Sequence, residues 1–168
     1  MPNWCRNTLI IANGDPKLVF DAIRTESSLF DFNTLMPMPI EIDNAPVDST
    51  TRVPEWYRWL VQNWGTKWNS ANAEYSVKSP HNTLHFDTAW KPPVPVFEAL
   101  AERFPNHEFT IYSDEWINHF HYTFLIKGGR LLAKTETCSC FEQDSNAVLT
   151  PEASQDLLAE FGAKEVIE

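Results

Sequence analysis

WCRNTLIIANGDPKLVFDAI, residues 4–23, holds the first half of the fold. Residues 4–12 are rich in β-branched and apolar side chains, the composition of a strand. Asn13-Gly14 then breaks the run as a turn. Asp15 offers a carboxylate to cap a helix, and Pro16 suits the first helical turn, where a missing N–H costs nothing. Leu18, Val19, Ala22 and Ile23 recur at helical spacing. The stretch is therefore a strand feeding directly into a helix.

Downstream, AEYSVKS (73–79) and TLHFDTA (83–89) alternate with period two about Pro80-His81-Asn82 and predict a hairpin. Pro92, Pro93 and Pro95 open a helix whose buried stripe is Val96, Phe97, Leu100, Ala101 and Phe104. EFTIYS (108–113) is a further strand. HFHYTFLIK (119–127) and RLLAKTETC (130–138) flank Gly128-Gly129, a two-residue glycine loop that predicts a final hairpin. Between the first helix and the first hairpin, residues 26–72 read as an insertion. Its prolines forbid one continuous helix, but Pro54–Trp64 carries a broad apolar face (Trp56, Tyr57, Leu60, Val61, Trp64), with Gly65 as its stop. The order β-α-(insertion)-β-β-α-β plus hairpin predicts an α+β fold. It is a ferredoxin-like split βαβ antiparallel sheet, with helices on one face, a helical insertion before strand two and a C-terminal β-hairpin. The expected strand order is 4-1-3-2. One domain over residues 1–140 and an acidic tail over 141–168, with a short helix from Thr150-Pro151 through Phe161, account for the chain.

The charge is uneven. Of a net charge of -10, residues 141–168 carry -6 and residues 1–140 carry -4. Lys and Arg do not cluster, so nucleic acid is not an expected partner. No apolar run reaches membrane-spanning length and no secretory leader is visible, so no membrane partner is expected and a reducing cytoplasm is the expected setting. Cys5, Cys138 and Cys140 are odd in number and lack the companions of a zinc site. With only 5 glycines and no P-loop, Rossmann pattern or nucleophile elbow, no catalytic residue and no cofactor are expected. His85 with Asp87, and His119 with His121, alternate along two strands and suggest mixed nitrogen and oxygen ligation, but histidines on an uncovered sheet face explain them as well, and no metal is assigned.

The topology has one further consequence. The start of strand one, the approach to strand two and the ends of strands three and four share one edge of the sheet. Read from the sequence, that edge collects Asn3-Trp4-Cys5, Asn63–Asn69, Asp87–Lys91 and Asp114-Glu115-Trp116. Two readings follow. Indoles can plug the open end of a small core, each N–H finding an acceptor. Alternatively, rigid aromatics with a few polar groups make a binding site. The candidate binding residues are Trp4, Lys67, Trp68, Asn69, Asp87, Trp90, Asp114 and Trp116, with Trp64 assigned to the plug.

MPNWCRN (1–7), NWGTKWN (63–69) and FDTAWKPPVPVFEALAERFP (86–105) resemble the YubB-type ferredoxin-like family, over residues 1 to about 136. That resemblance implies the same fold and a setting among phage- and plasmid-carried proteins of unknown function. It transfers no catalytic residue. The expectation is a non-catalytic interaction protein that binds a host or competitor protein, with counter-defence as one such role. The alternative is a small-ligand-binding domain or small enzyme built on the same tryptophan-rich edge.

Overall fold

The computed structural model describes residues 3–43, 53–76, 81–117 and 119–138. The acidic tail, its expected helix and Cys140 lie outside the described residues. The elements are β1 (Trp4–Asn13), α1 (Pro16–Ile23), a 3-10 turn (Phe32–Thr34), α2 (Ile40–Asp43), α3 (Glu55–Asn63), β2 (Ala71–Tyr75), β3 (Thr83–Ala89), α4 (Val94–Arg103), β4 (Glu108–Glu115), β5 (Phe120–Lys127) and β6 (Arg130–Cys138). The strands form a 6-stranded antiparallel sheet ordered β2-β3-β1-β4-β5-β6. Its first four strands have the split βαβ order, and the last hairpin extends the sheet beyond β4. The fold is ferredoxin-like α+β.

Local chemistry explains the elements. Asp15 accepts from the Lys17 N–H at 2.9 Å, capping α1 as its side chain suggested. Gly128 and Gly129 both have positive φ (61° and 73°), which closes β5 onto β6 in two residues. Alternation decides the faces. Leu9 and Ile11 of β1, Leu84 and Phe86 of β3, Phe109 and Ile111 of β4, and Phe124 and Ile126 of β5 are buried in the core. There they meet Val19 and Ile23 of α1 and Val96, Phe97 and Leu100 of α4. The opposite face carries Arg6, Thr8, His85, Asp87, Tyr112 and Asp114, partly or fully exposed.

The insertion builds core rather than hanging from it. Phe30 and Phe32 are fully buried and set edge-on to Phe86 at 5.0 and 6.2 Å. Asn69 ties this segment down: its side-chain oxygen accepts from the Phe32 N–H and its amide donates to Asp31.

Several elements differ from expectation: β1 runs one residue further, to Asn13, α2 stands in a stretch that its prolines marked as irregular, and residues 77–80 of the expected hairpin lie outside the described residues. The second strand starts at Ala71, two residues early, and bulges at Asn72 (φ 50°) between its pairings to Asp87 and His85. The fourth runs on to Glu115, because Asp114 and Glu115 keep partners on both sides, Arg6 and Cys5 on β1 and His121 and Phe120 on β5. The fifth starts at Phe120, since His119 sits in the turn with φ 57°.

Candidate functional site

The register brings the start of β1 against the ends of β3 and β4, with Trp4 opposite Ala89 and Cys5 opposite both Thr88 and Glu115. At this end, the turn after β3 is held at three points. The Trp90 N–H donates to the Asn3 carbonyl at 2.8 Å. Thr66 donates to the Ala89 carbonyl, and Thr88 to the Lys91 carbonyl, each at 2.9 Å. Between these ties Trp90 takes φ 76°, a region a β-unbranched aromatic rarely occupies. Such strain persists only where the surroundings impose it.

The result is an ordered aromatic surface. Trp68 packs against Trp4 with ring centroids 6.0 Å apart. The Lys67 ammonium lies 4.0 Å from the Trp68 ring centroid and 5.5 Å from that of Trp90. Each such contact is worth about 0.5–1 kcal/mol at an exposed site. Trp4, Trp68 and Trp90 are nevertheless 38%, 40% and 51% exposed. Trp116 follows β4 at the same end of the sheet and is 77% exposed.

The closed plug describes Trp64 alone. Its indole is 3% exposed, donates to the Met36 carbonyl at 3.0 Å, and meets Phe32 and Trp59 edge-on. Trp68 and Trp90 leave wide faces in solvent, so they do not seal the core.

The polar candidates divide among other tasks. Asp87 accepts from the Asn72 amide at 2.9 Å and faces Arg6 in register. Asp114 pairs with His121 at 2.5 Å on the open sheet face. Asn69 anchors the insertion. His85 bonds Thr8 at 3.1 Å. Metal ligation by the histidines is not what the geometry shows: His85 and His121 stand on β3 and β5 with β1 and β4 between, roughly 14 Å at ordinary strand spacing. Among the described residues no group of three or more His, Cys, Asp or Glu is arranged to hold an ion.

On the core side of the same end lies a buried polar layer. Asn7 is fully buried, donates to Thr88 at 2.9 Å and accepts from Ser113 at 2.7 Å. Beside it, burial pushes the Cys5 thiol up to about 12, outweighing its bond with Thr88. A thiol so held is not a nucleophile at neutral pH.

A cleft that sequence reasoning missed opens between the end of α3, the turn before α4 and the last hairpin. It encloses about 310 Å³, with Lys91 and Lys134 beside Tyr122 and apolar walls from Val61, Val94 and Pro95. No local signal could have found it, because Lys134 and Lys91 meet only after the last hairpin joins the sheet. A second cleft, of about 310 Å³, lies at the β2 edge among Ser27, Ser28, Ser70 and Asn72. Neither is lined by Trp4, Trp68 or Trp90.

Residues 63–146 match the family described as the ferredoxin-like domain in Api92-like protein. The chain belongs to that family. The matched residues of this Api92-like chain span the end of α3 and all strands after β1, including the Trp68–Lys67–Trp90 cluster. The crystal structure of api92 from Yersinia pseudotuberculosis is similar in fold, with a TM-score of 0.53 at 18% identity. The similarity covers 64% of this chain and 39% of api92, so the Api92-like chain spans well under half the length of that relative. No curated protein sequence matches.

Proposed function

We propose that this Api92-like chain is a non-catalytic interaction protein of a bacterial phage or plasmid. In this reading it acts in the host cytoplasm by docking a host or competitor protein, such as a defence component, on its indole edge. The observation that carries the reading is the ordered yet exposed surface of Trp4, Trp68 and Trp90 around Lys67. Rigid indoles lose little side-chain freedom on docking, and Trp dominates the few residues that supply most interface energy. The resemblance to YubB-type proteins supplies the mobile-element setting. The ligand-pocket alternative would need carboxylates converging on the indoles. Asp87 instead accepts from Asn72 through one oxygen, and Asp114 pairs with His121 through one.

The test compares tagged wild-type chain with the Trp68→Ala/Trp90→Ala double variant in capture from a bacterial host, followed by titration of the purified captured protein. Loss of the two indoles is expected to weaken binding by about 100-fold, the scale of a hot spot. A captured protein that binds wild type and variant equally would rule out the edge as the docking surface.

A further inference from the structure

The cleft between α3, the β3–α4 turn and the last hairpin is a different place from the indole edge, and its chemistry is different. Its charged rim is cationic in a chain whose net charge is -10. None of the ion pairs among the described residues involves Lys91. Lys134 has Glu136 only at 4.0 Å, the outer limit of a pair, and its ammonium sits 4.8 Å from the Tyr122 ring centroid. Two ammonium groups thus border one cavity, with Glu136 beside Lys134 and with Glu136 and Glu115 acting on Tyr122.

The turn that delivers Lys91 is built rather than loose. Thr88 holds the Lys91 carbonyl, and the left-handed backbone of Trp90 reverses the chain. That one strained residue places Trp90 in the indole cluster and Lys91 on the cleft. Gly65, which also lines the cleft, has φ 75°, and a Cβ there would lie 2.9 Å from the Pro95 ring, so only glycine lets α3 end this close to α4.

We propose that this cleft binds a small organic monoanion, its carboxylate between Lys91 and Lys134 and its apolar or aromatic body against Val61, Val94 and Pro95. The volume of about 310 Å³ lies at the lower end of the range for small-molecule sites. The chemistry selects a carboxylate over a phosphate. The first turn of α4 offers few donors: the Val94 and Val96 N–H groups are used by Pro92 and Pro93 carbonyls, and Pro95 has none. Without an Arg fork or a cradle of backbone N–H groups, a doubly charged phosphate loses its usual partners. Glu136, on the same strand as Lys134, disfavours a dianion further. Tyr122, raised above its ordinary value first by burial and then by Glu136, stays a neutral phenol beside the site.

The test is an amide NMR titration of the full chain with benzoate, benzyl alcohol and benzylamine, three ligands of one shape and three charges. Benzoate is expected to shift Lys91, Val94, Tyr122 and Lys134 with an affinity of about 1 mM, and at least about tenfold more tightly than benzyl alcohol. Benzylamine is expected not to bind there. The Lys91→Met/Lys134→Met variant keeps the aliphatic stems and should reduce benzoate to the benzyl alcohol level without lowering the melting temperature. The ligand series on the wild type stands even if that variant folds poorly. Equal affinity for benzoate and benzyl alcohol, shifts confined to other residues, or no saturable shift would each overturn the proposal. So would tighter binding of inorganic phosphate than of benzoate.

Discussion

Trp64 and Trp90 belong to the same end of the molecule and have opposite lives. Trp64 closes α3 against Phe32, which the insertion supplies, and spends its N–H on the Met36 carbonyl. Trp90 leaves the sheet in a left-handed turn and meets only the Lys67 ammonium, 5.5 Å from its ring, among described cationic neighbours. Trp68, four residues after Trp64, sides with Trp90. The difference shows that an indole is core or surface according to which other segments arrive beside it. Residue type and strand-end position are shared by both classes. Across the sheet the same division runs between neighbours: Trp4 is 38% exposed, and Cys5 is fully buried on the opposite face.

The largest effect is expected at Trp64. Trp64→Ala is expected to destabilise the domain by about 3–5 kcal/mol, leaving a cavity beside Phe32 and an unpaired Met36 carbonyl. Thermal or urea unfolding reads this loss. Stability unchanged from wild type would mean that Trp64 is no more structural than Trp90.

Trp90→Gly is expected to behave differently. Removing the side chain relieves a strained φ, while the looser unfolded chain and the lost cation–π contact offset that gain, so stability should stay within about 1 kcal/mol of wild type. Binding of the protein partner should nevertheless fall. A steep loss of melting temperature would place Trp90 in the core instead.

The last effect concerns Cys5 and is confined to alkaline pH. The thiol is raised from 9.0 to about 12 by burial, so between those values the unfolded chain loses a proton that the folded chain keeps. Its contribution to stability is intact below pH 9.0 and declines as the pH rises toward 12. Urea unfolding of Cys5→Ala across that window should show a shallower decline than wild type. Identical slopes would mean that the thiol is accessible to water in the fold.

Much of the architecture is legible in local chemistry. Asp15-Pro16, Gly65 and Gly128-Gly129 mark where elements start and stop, because caps and left-handed turns depend on the residues within them. Period-two alternation in residues 83–89 marked a strand for the same reason, and the structure buries its Leu84 and Phe86. Once the order of elements was read, topology alone brought Trp4, Lys67, Trp68 and Trp90 to one sheet edge. Strand limits were less legible: Glu115 continues β4 only because Cys5 and Phe120 flank it, and Asn72 bulges only in pairing with β3.

The main strands and helices and their order are therefore local properties, set by neighbours a few residues apart, and the edge where aromatic residues gather follows from that order; the 3-10 turn and α2 within residues 26–72 do not. Chain segments brought together from afar settle which indoles are buried, that Lys67 lies near two of them, that Asp87 and Asp114 bond Asn72 and His121, and that Lys91 and Lys134 share a cleft. Burial and pairing are set by groups distant along the chain, and a one-residue change of register would exchange the faces on which all of them stand.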